Sequence, residues 1–264
     1  MRKLILSLSA GAVIAGALGS ALAQPSGRPR PPSAYVAAVA DGHRPAKDKS
    51  RDADRKPAEV LSFIGVKPGD KVADLMPGSG YFTRMFSNTV GSKGRVYAVE
   101  PTEMSKVHPE GLAALKTLTD DPVYGNVSVL NVPAADIASG AAPPPEPFDV
   151  VWTSQNYHDL HDRFMGPVDV AGFNKAIYAA LKPGGVYVVL DHAAAAGSAL
   201  SATDILHRID PAAVKAEVTA AGFVYEGESP VLRNPGDPKT ANVFDKSVHG
   251  KTDQFILKFR KPAR

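Results

Sequence analysis

Residues 72 to 81 read VADLMPGSGY, in which a short apolar run carries Asp74 and then enters a proline-glycine-serine-glycine turn. A glycine turn between a strand and a helix lets a ligand approach the backbone closely, because glycine has no Cβ and tolerates positive φ. A pyrophosphate binder would want Gly-x-Gly-x-x-Gly and no carboxylate beside the loop. Asp74 stands four residues before Gly78, where it repels phosphate and favours a ligand with an amino or sulfonium group. Two further acids occupy matching positions. Glu100 ends the run VYAVE, where a carboxylate can accept both hydroxyls of a ribose, and Asp136 follows VSVLNV in PAAD, within reach of an exocyclic amine of adenine. Three acids therefore end three successive strands at one rim.

The elements that hold this rim follow from periodicity. KVADLM, RVYAVE, VSVLNV, FDVVWTS and LKPGGVYVVLDH read as strands, the last with a Pro-Gly-Gly turn ahead of its apolar run. Between them YFTRMFSNTV has helical spacing at Phe82, Met85, Phe86 and Val90, while MSKVHPEGLAALKTL and VAGFNKAIYAAL read as helices, and Trp152 falls inside the fourth strand as core. Asp210-Pro211 caps the helix AAVKAEVTAA, ended by Gly222; FVYEGESPVL and TDQFILKFRK close the chain as strands. Strands alternating with helices predict an α/β protein with a doubly wound, Rossmann-like sheet of seven strands, mostly parallel with an antiparallel C-terminal strand. In such a sheet ligands sit outside the carboxyl ends of the strands.

Composition narrows the classes. The 30 basic and 27 acidic residues are interspersed and give a net charge of +3, without a basic stripe or aromatic platform, so nucleic acid is not expected as a partner. There is no cysteine, which excludes disulfides, thiolate metal sites and a cysteine nucleophile. The serine of PGSGY is one residue away from a nucleophile elbow, and a nucleotide oxidoreductase would need a third glycine and no Asp74.

The five motifs, in this order and spacing, resemble the class I S-adenosylmethionine-dependent methyltransferases. VADLMPGSGY looks like the first motif of that family, VYAVE its ribose motif, PAAD its adenine motif, FDVVWTSQNYHDL its fourth-strand motif and LKPGGVYVVLD its fifth. The resemblance runs from about Val60 to the C-terminus. Met76-Pro77 departs from it, standing where the larger family usually has Gly-x. Within the family the chain is similar to a group of predicted bacterial methyltransferases that join a PG-x-G-Y turn to an upstream RD-x-x-R segment, here Arg51 to Arg55, and a downstream LHRID segment, here Leu206 to Asp210. The resemblance implies S-adenosylmethionine as cofactor, held by Asp74, Gly78, Gly80, Tyr81, Glu100, Asp136 and Asn156.

Methyl transfer needs mostly alignment, with a base where the acceptor carries a proton. The segments after the fourth and fifth strands supply candidates, and four of the seven histidines lie in them or in LHRID. Tyr157, His158, Asp191 and His192 are the catalytic candidates, His158 or His192 as a base oriented by a carboxylate. Asp159, His161, His207 and Arg208 are candidate contacts to the acceptor, expected to be a small molecule. A lesser reading has His158, His161 and His192 with Asp191 ligating a metal; no metal is assigned.

The N-terminus points to export. Arg2 and Lys3 precede an apolar stretch from Leu4 to about Leu18, and Ala21-Leu22-Ala23 offers a cleavage site, so residues 1–23 read as a signal peptide and the protein as periplasmic. Residues 24–46 read as a flexible proline-rich leader, and 47–264 as a single domain opened by a charged helical arm in which Arg51, Asp52 and Arg55 either face solvent or reach the site as a lid. No stable membrane insertion is expected after cleavage. Because S-adenosylmethionine is made in the cytoplasm, export leaves a second class open: a non-catalytic binding protein for an adenosine-like or amine-bearing ligand. The discriminator is whether His158 and His192 face the cavity that holds Asp74 and Glu100.

Overall fold

A computed structural model describes residues 30–263. The expected signal peptide and the start of the leader lie outside the described residues. Four short helices open the chain, α1 (Ser33–Val39), α2 (Ala46–Lys49), α3 (Asp52–Arg55) and α4 (Pro57–Ile64), followed by β1 (Lys71–Leu75), α5 (Tyr81–Val90), β2 (Arg95–Pro101), α6 (Thr102–Val107), α7 (Pro109–Asp120), β3 (Val127–Val132), α8 (Ala134–Ser139) and β4 (Phe148–Ser154). Then come α9 (Val170–Ala180), β5 (Leu181–His192), α10 (Thr203–Leu206), α11 (Pro211–Ala220), β6 (Val224–Ser229) and β7 (Gln254–Arg260). The sheet order is β3-β2-β1-β4-β5-β7-β6. Strands β1 to β5 pair in parallel, and β7 runs antiparallel to both β5 and β6. This is the seven-stranded, mostly parallel sheet expected.

Strands covered on both faces read as continuous apolar runs, and β1 shows why: Val72, Ala73 and Leu75 are all buried, to alternate sides. One side packs against α4 and α5, where Phe82 and Phe86 meet Trp152 at centroid distances of 4.9 and 6.2 Å. The other side packs Val151, Tyr187 and Phe259 against Phe173 and Ile177 of α9. Asp210 caps α11 as expected, accepting from the Ala212 amide at 2.9 Å.

Three expectations change. The leader is ordered from Ser33, not from residue 47: α1 buries Tyr35 and Ala38, and the Tyr35 hydroxyl donates to the Val66 carbonyl at 2.8 Å. Apolar side chains with a covered face to pack on outweigh the proline-rich composition around them. The helix expected over MSKVHPEGLAALKTL is two helices, α6 and α7, because Pro109 cannot donate a helical hydrogen bond and restricts His108 before it. The strand expected over FVYEGESPVL stops at Ser229, ahead of Pro230. Among the described residues no helix is long and apolar enough to cross a membrane.

Candidate active site

A cavity of about 710 Å³ opens at the carboxyl ends of β1, β4 and β5. Its floor at β1 is Asp74, buried, accepting from Thr83 Oγ1 at 2.6 Å. Burial pushes the Asp74 carboxyl up to about 7, against the opposing pull of Thr83 and Arg55. Glu100 at the end of β2 is also buried, its Oε2 has no hydrogen-bond partner, and burial beside Asp74 pushes it up to about 8. Two carboxyls in one dry corner, one with an unsatisfied oxygen, ask for a ligand that brings hydroxyl donors and positive charge.

The turn after β1 is built for close approach. Gly78 lines the cavity with φ at +56°, and an added Cβ there would meet no protein atom within 4 Å. Gly80 does not line the cavity. It opens α5 at φ +81°, where a Cβ would press on Leu118 at 2.8 Å, so it serves the contact with α7 and not the ligand. Met76 holds φ +51° in place of the glycine common in similar turns, and Asn156 secures it, its Nδ2 donating to the Met76 carbonyl at 2.6 Å and to the Ser154 carbonyl at 2.9 Å. Asn156 thus ties the glycine turn to the end of β4.

The N-terminal arm covers this half of the cavity, as the lid alternative requires. Lys47, Asp48, Arg51 and Arg55 line it. Arg55 lies 4.1 Å above the Tyr81 ring and donates to Ser154 Oγ at 3.0 Å, and burial lowers its guanidinium to about 10. Asp52 takes a fork from Arg44 at 2.6 and 2.9 Å and the Tyr81 hydroxyl at 2.6 Å. Arg84 bonds Asp48 and the carbonyls of Ser79 and Gly80. Spacing alone does not reveal this latch, since its partners are far apart in the chain.

The other half of the cavity is lined by Phe164, Val243 and Phe244 together with His158, Asp159, His192 and His207. His158 is clamped: its Nδ1 is 2.9 Å from Asp191 Oδ1 and its Nε2 is 3.2 Å from Asp159 Oδ1. Burial alone would lower its pKa, but Asp191 and Asp159 outweigh burial and hold it well above the usual histidine range. With both ring nitrogens beside carboxylates, His158 keeps both protons in the ligand-free protein, and its Nε2 offers a lone pair only once that proton is displaced. His192 faces the cavity with Nδ1 on Thr252 Oγ1 at 2.7 Å, and burial pushes it down to about 4. Asp191 is fully buried and touches no cavity wall; it accepts the amides of His158 and His192 and the His158 ring. It is a positioning residue.

Three candidates turn away. The Tyr157 hydroxyl donates to Glu217 at 2.8 Å and accepts from Asn174, inside the core on the α9 side. His161 follows it to Glu217 at 3.2 Å, so neither reaches the cavity. Arg208 is wholly buried in a fork with Asp237 at 2.7 and 3.1 Å, and braces the loop before β7. The metal set His158, His161, His192 and Asp191 is not assembled; Asp162, which no sequence motif singled out, joins His158, Asp159 and His207 instead. Asp136 sits in the first turn of α8, off the cavity wall. Glu100 is buried beside Asp74 without lining the wall, while His158 and His192 share the cavity with Asp74.

Comparison with known proteins fits this geometry. Residues 48–165 match the family model of protein-L-isoaspartate(D-aspartate) O-methyltransferase. The chain is 32% identical over 136 residues to the ubiquinone/menaquinone biosynthesis C-methyltransferase of Hydrogenovibrio crunogenus, a match covering 50% of this chain and 46% of that protein. The chain thus spans about half the length of the curated relatives it matches. Among solved structures it superposes on an S-adenosylmethionine-dependent methyltransferase from Aquifex aeolicus with a TM-score of 0.55 and 19% identity, covering 83% of this chain and 98% of that one. It also superposes on Aeropyrum pernix fibrillarin, solved with natively bound S-adenosylmethionine, with a TM-score of 0.50 and 18% identity, covering 79% and 76%. At these identities the structural likeness is one of fold. Three of these four matches are named methyltransferases and the fourth was solved with S-adenosylmethionine bound; the chain carries the fold of the two solved structures.

Proposed function

We propose that this protein is an S-adenosylmethionine-dependent methyltransferase acting on a small-molecule acceptor. The observation that carries the reading is the buried pair Asp74 and Glu100, at the ends of adjacent strands beside a glycine turn, with Glu100 Oε2 unsatisfied. The residues fit the cofactor: Glu100 would accept its ribose hydroxyls, Asp74 would balance its positive charge, and Gly78 would let it approach the turn. When bound, S-adenosylmethionine supplies an electrophilic methyl group on a sulfonium.

The chain's own residues supply alignment. Arg55, stacked on Tyr81, and the rest of the arm exclude water from the cofactor half. Phe164, Val243 and Phe244 offer an apolar wall to the body of the acceptor, and His192, held neutral by burial, offers it a hydrogen bond. Positioning of this kind can supply several kcal/mol of barrier lowering. The apolar wall and the interspersed charge favour a small acceptor over nucleic acid. We also propose export to the periplasm, on the pattern of residues 1–23 alone.

Calorimetric titration of the purified protein with S-adenosylmethionine and S-adenosylhomocysteine tests the reading. Micromolar affinity, about −8 kcal/mol, lost in Asp74→Ala, is expected; no binding by a folded protein overturns it.

A further inference from the structure

Beside the acceptor half of the cavity lies a second cluster with a chemistry of its own. His158, Asp159, Asp162 and His207 bring four ligand atoms within 4.8 Å of one another. The closest pairs are His158 Nε2 to Asp159 Oδ1 at 3.2 Å, His207 Nδ1 to Asp162 Oδ2 at 3.5 Å, and His207 Nδ1 to Asp159 Oδ1 at 3.9 Å. Ligands at about 2.0–2.2 Å around one tetrahedral cation are about 3.3–3.6 Å apart, so one of these three edges has that size and the other two lie within about 0.3 Å of it.

Two independent observations point to a cation. Asp162 is 1% exposed, and both of its carboxylate oxygens lack a hydrogen-bond partner. His207 Nδ1 stands 3.5 Å from one of them, and a buried carboxylate without a hydrogen bond still costs several kcal/mol unless a closer positive group meets it. The second is the orientation of His158. Asp191, itself buried, takes the Nδ1 side of the ring and the His158 amide, which directs Nε2 toward Asp159 and the cluster. A carboxylate behind a histidine is the usual support of a metal-ligating imidazole, since it fixes the tautomer and raises the basicity of the outward nitrogen. Three buried carboxylates, Asp159, Asp162 and Asp191, surround two imidazoles that must be neutral to act as ligands, and a divalent ion then reduces the cluster charge from −3 to −1.

We propose that His158, Asp159, Asp162 and His207 bind a first-row divalent cation, with Asp191 orienting His158 and the open side of the ion facing the cavity. Two imidazoles and two carboxylates suit zinc, manganese or iron better than magnesium or calcium, which prefer all-oxygen shells. His158, Asp159 and His207 all line the cavity, so an ion there can take an oxygen of the acceptor directly and lower the pKa of a hydroxyl presented to it. This last role rests on the methyltransferase reading; the metal site does not.

The test is titration calorimetry of the untagged, metal-free full-length protein with Zn²⁺ and Mn²⁺, with Mg²⁺ for comparison, and metal content by mass spectrometry. One Zn²⁺ per chain is expected, with micromolar or tighter affinity and no measurable Mg²⁺ binding. Asp162→Asn and His207→Gln should each weaken Zn²⁺ at least about 30-fold, and Asp191→Asn by about 10- to 100-fold through His158. Folding of each variant is checked by circular dichroism. Absence of a one-to-one Zn²⁺ complex, or an affinity that both ligand variants leave unchanged, overturns the site. S-adenosylmethionine binding measured on the same samples separates the two readings, because loss of metal binding with cofactor binding intact refutes only this one.

Discussion

The hydroxyl of Tyr81, the first residue of α5, donates to Asp52 of α3 at 2.6 Å, and the same carboxylate receives the guanidinium of Arg44. One acid therefore holds the N-terminal arm against the glycine turn. The Arg44 side chain is fully buried, so removing its partner leaves a charge stranded. Asp52→Ala is expected to cost about 2 kcal/mol of stability, allowing for the partial exposure of Asp52. It should also loosen the arm over the cofactor half. Denaturant unfolding checks the first and S-adenosylmethionine affinity the second; an affinity equal to that of the parent would show that the arm does not close the site.

The raised carboxyls of Asp74, at the cavity floor, and Glu100, buried beside it, make cofactor binding depend on pH. Asp74 sits near 7 and Glu100 near 8 in the ligand-free protein. A cationic ligand prefers the ionised carboxylate, so affinity should rise from pH 6 to pH 8 or 9, by up to about tenfold per unit for one coupled proton. Asp74→Asn should flatten the profile as well as weaken binding. Titrations at four pH values settle the sign.

The same Asp74 carries a stability consequence of opposite sense. Its folded pKa lies above the unfolded value, so the folded state favours the protonated form. The stability this gives is fully present below pH 4 and is lost as pH rises through about 7. In the ligand-free protein at pH 8 the ionised, buried carboxylate is a net cost, and Asp74→Asn is expected to be more stable by roughly 2–4 kcal/mol. A melting temperature for Asp74→Asn at or below that of the parent at pH 8 would contradict this.

Tyr157 tests the distinction between sequence neighbourhood and site. Tyr157→Phe removes a hydroxyl that bridges Glu217 and Asn174. A loss of about 1–2 kcal/mol in stability is expected, with cofactor affinity unchanged. A selective loss of binding would return Tyr157 to the site.

Arg208 and Asp237 form an ion pair with both side chains fully buried. Asp237→Asn breaks the pair from one side and should cost about 3–5 kcal/mol, while leaving the cavity wall in place. Thermal unfolding and cofactor titration of the variant are the relevant measurements.

Much of this protein is determined locally. The alternation of apolar runs with helical spacing dictates a doubly wound sheet, because each strand must be covered on both faces, and Asp74 and Glu100 come together at the ends of adjacent strands for the same reason, while Asp136 lies in α8, off the cavity wall. The placement of Asp74 and Gly78 at the cavity, and of Glu100 beside Asp74, was thus legible from the chain alone. The histidines were not. Tyr157, His158 and His161 stand within five residues, yet His158 is drawn to Asp191 on β5 and the other two to Glu217 on α11. Which way a side chain turns after a strand depends on the partner that satisfies it, and those partners lie 33 to 60 residues away. Asp162 and His207 belong to separate segments that only packing brings together. The arm was ambiguous for a related reason: a charge run reads as solvated until its partners, here the Tyr81 hydroxyl and the Arg84 guanidinium of α5, are found across the fold.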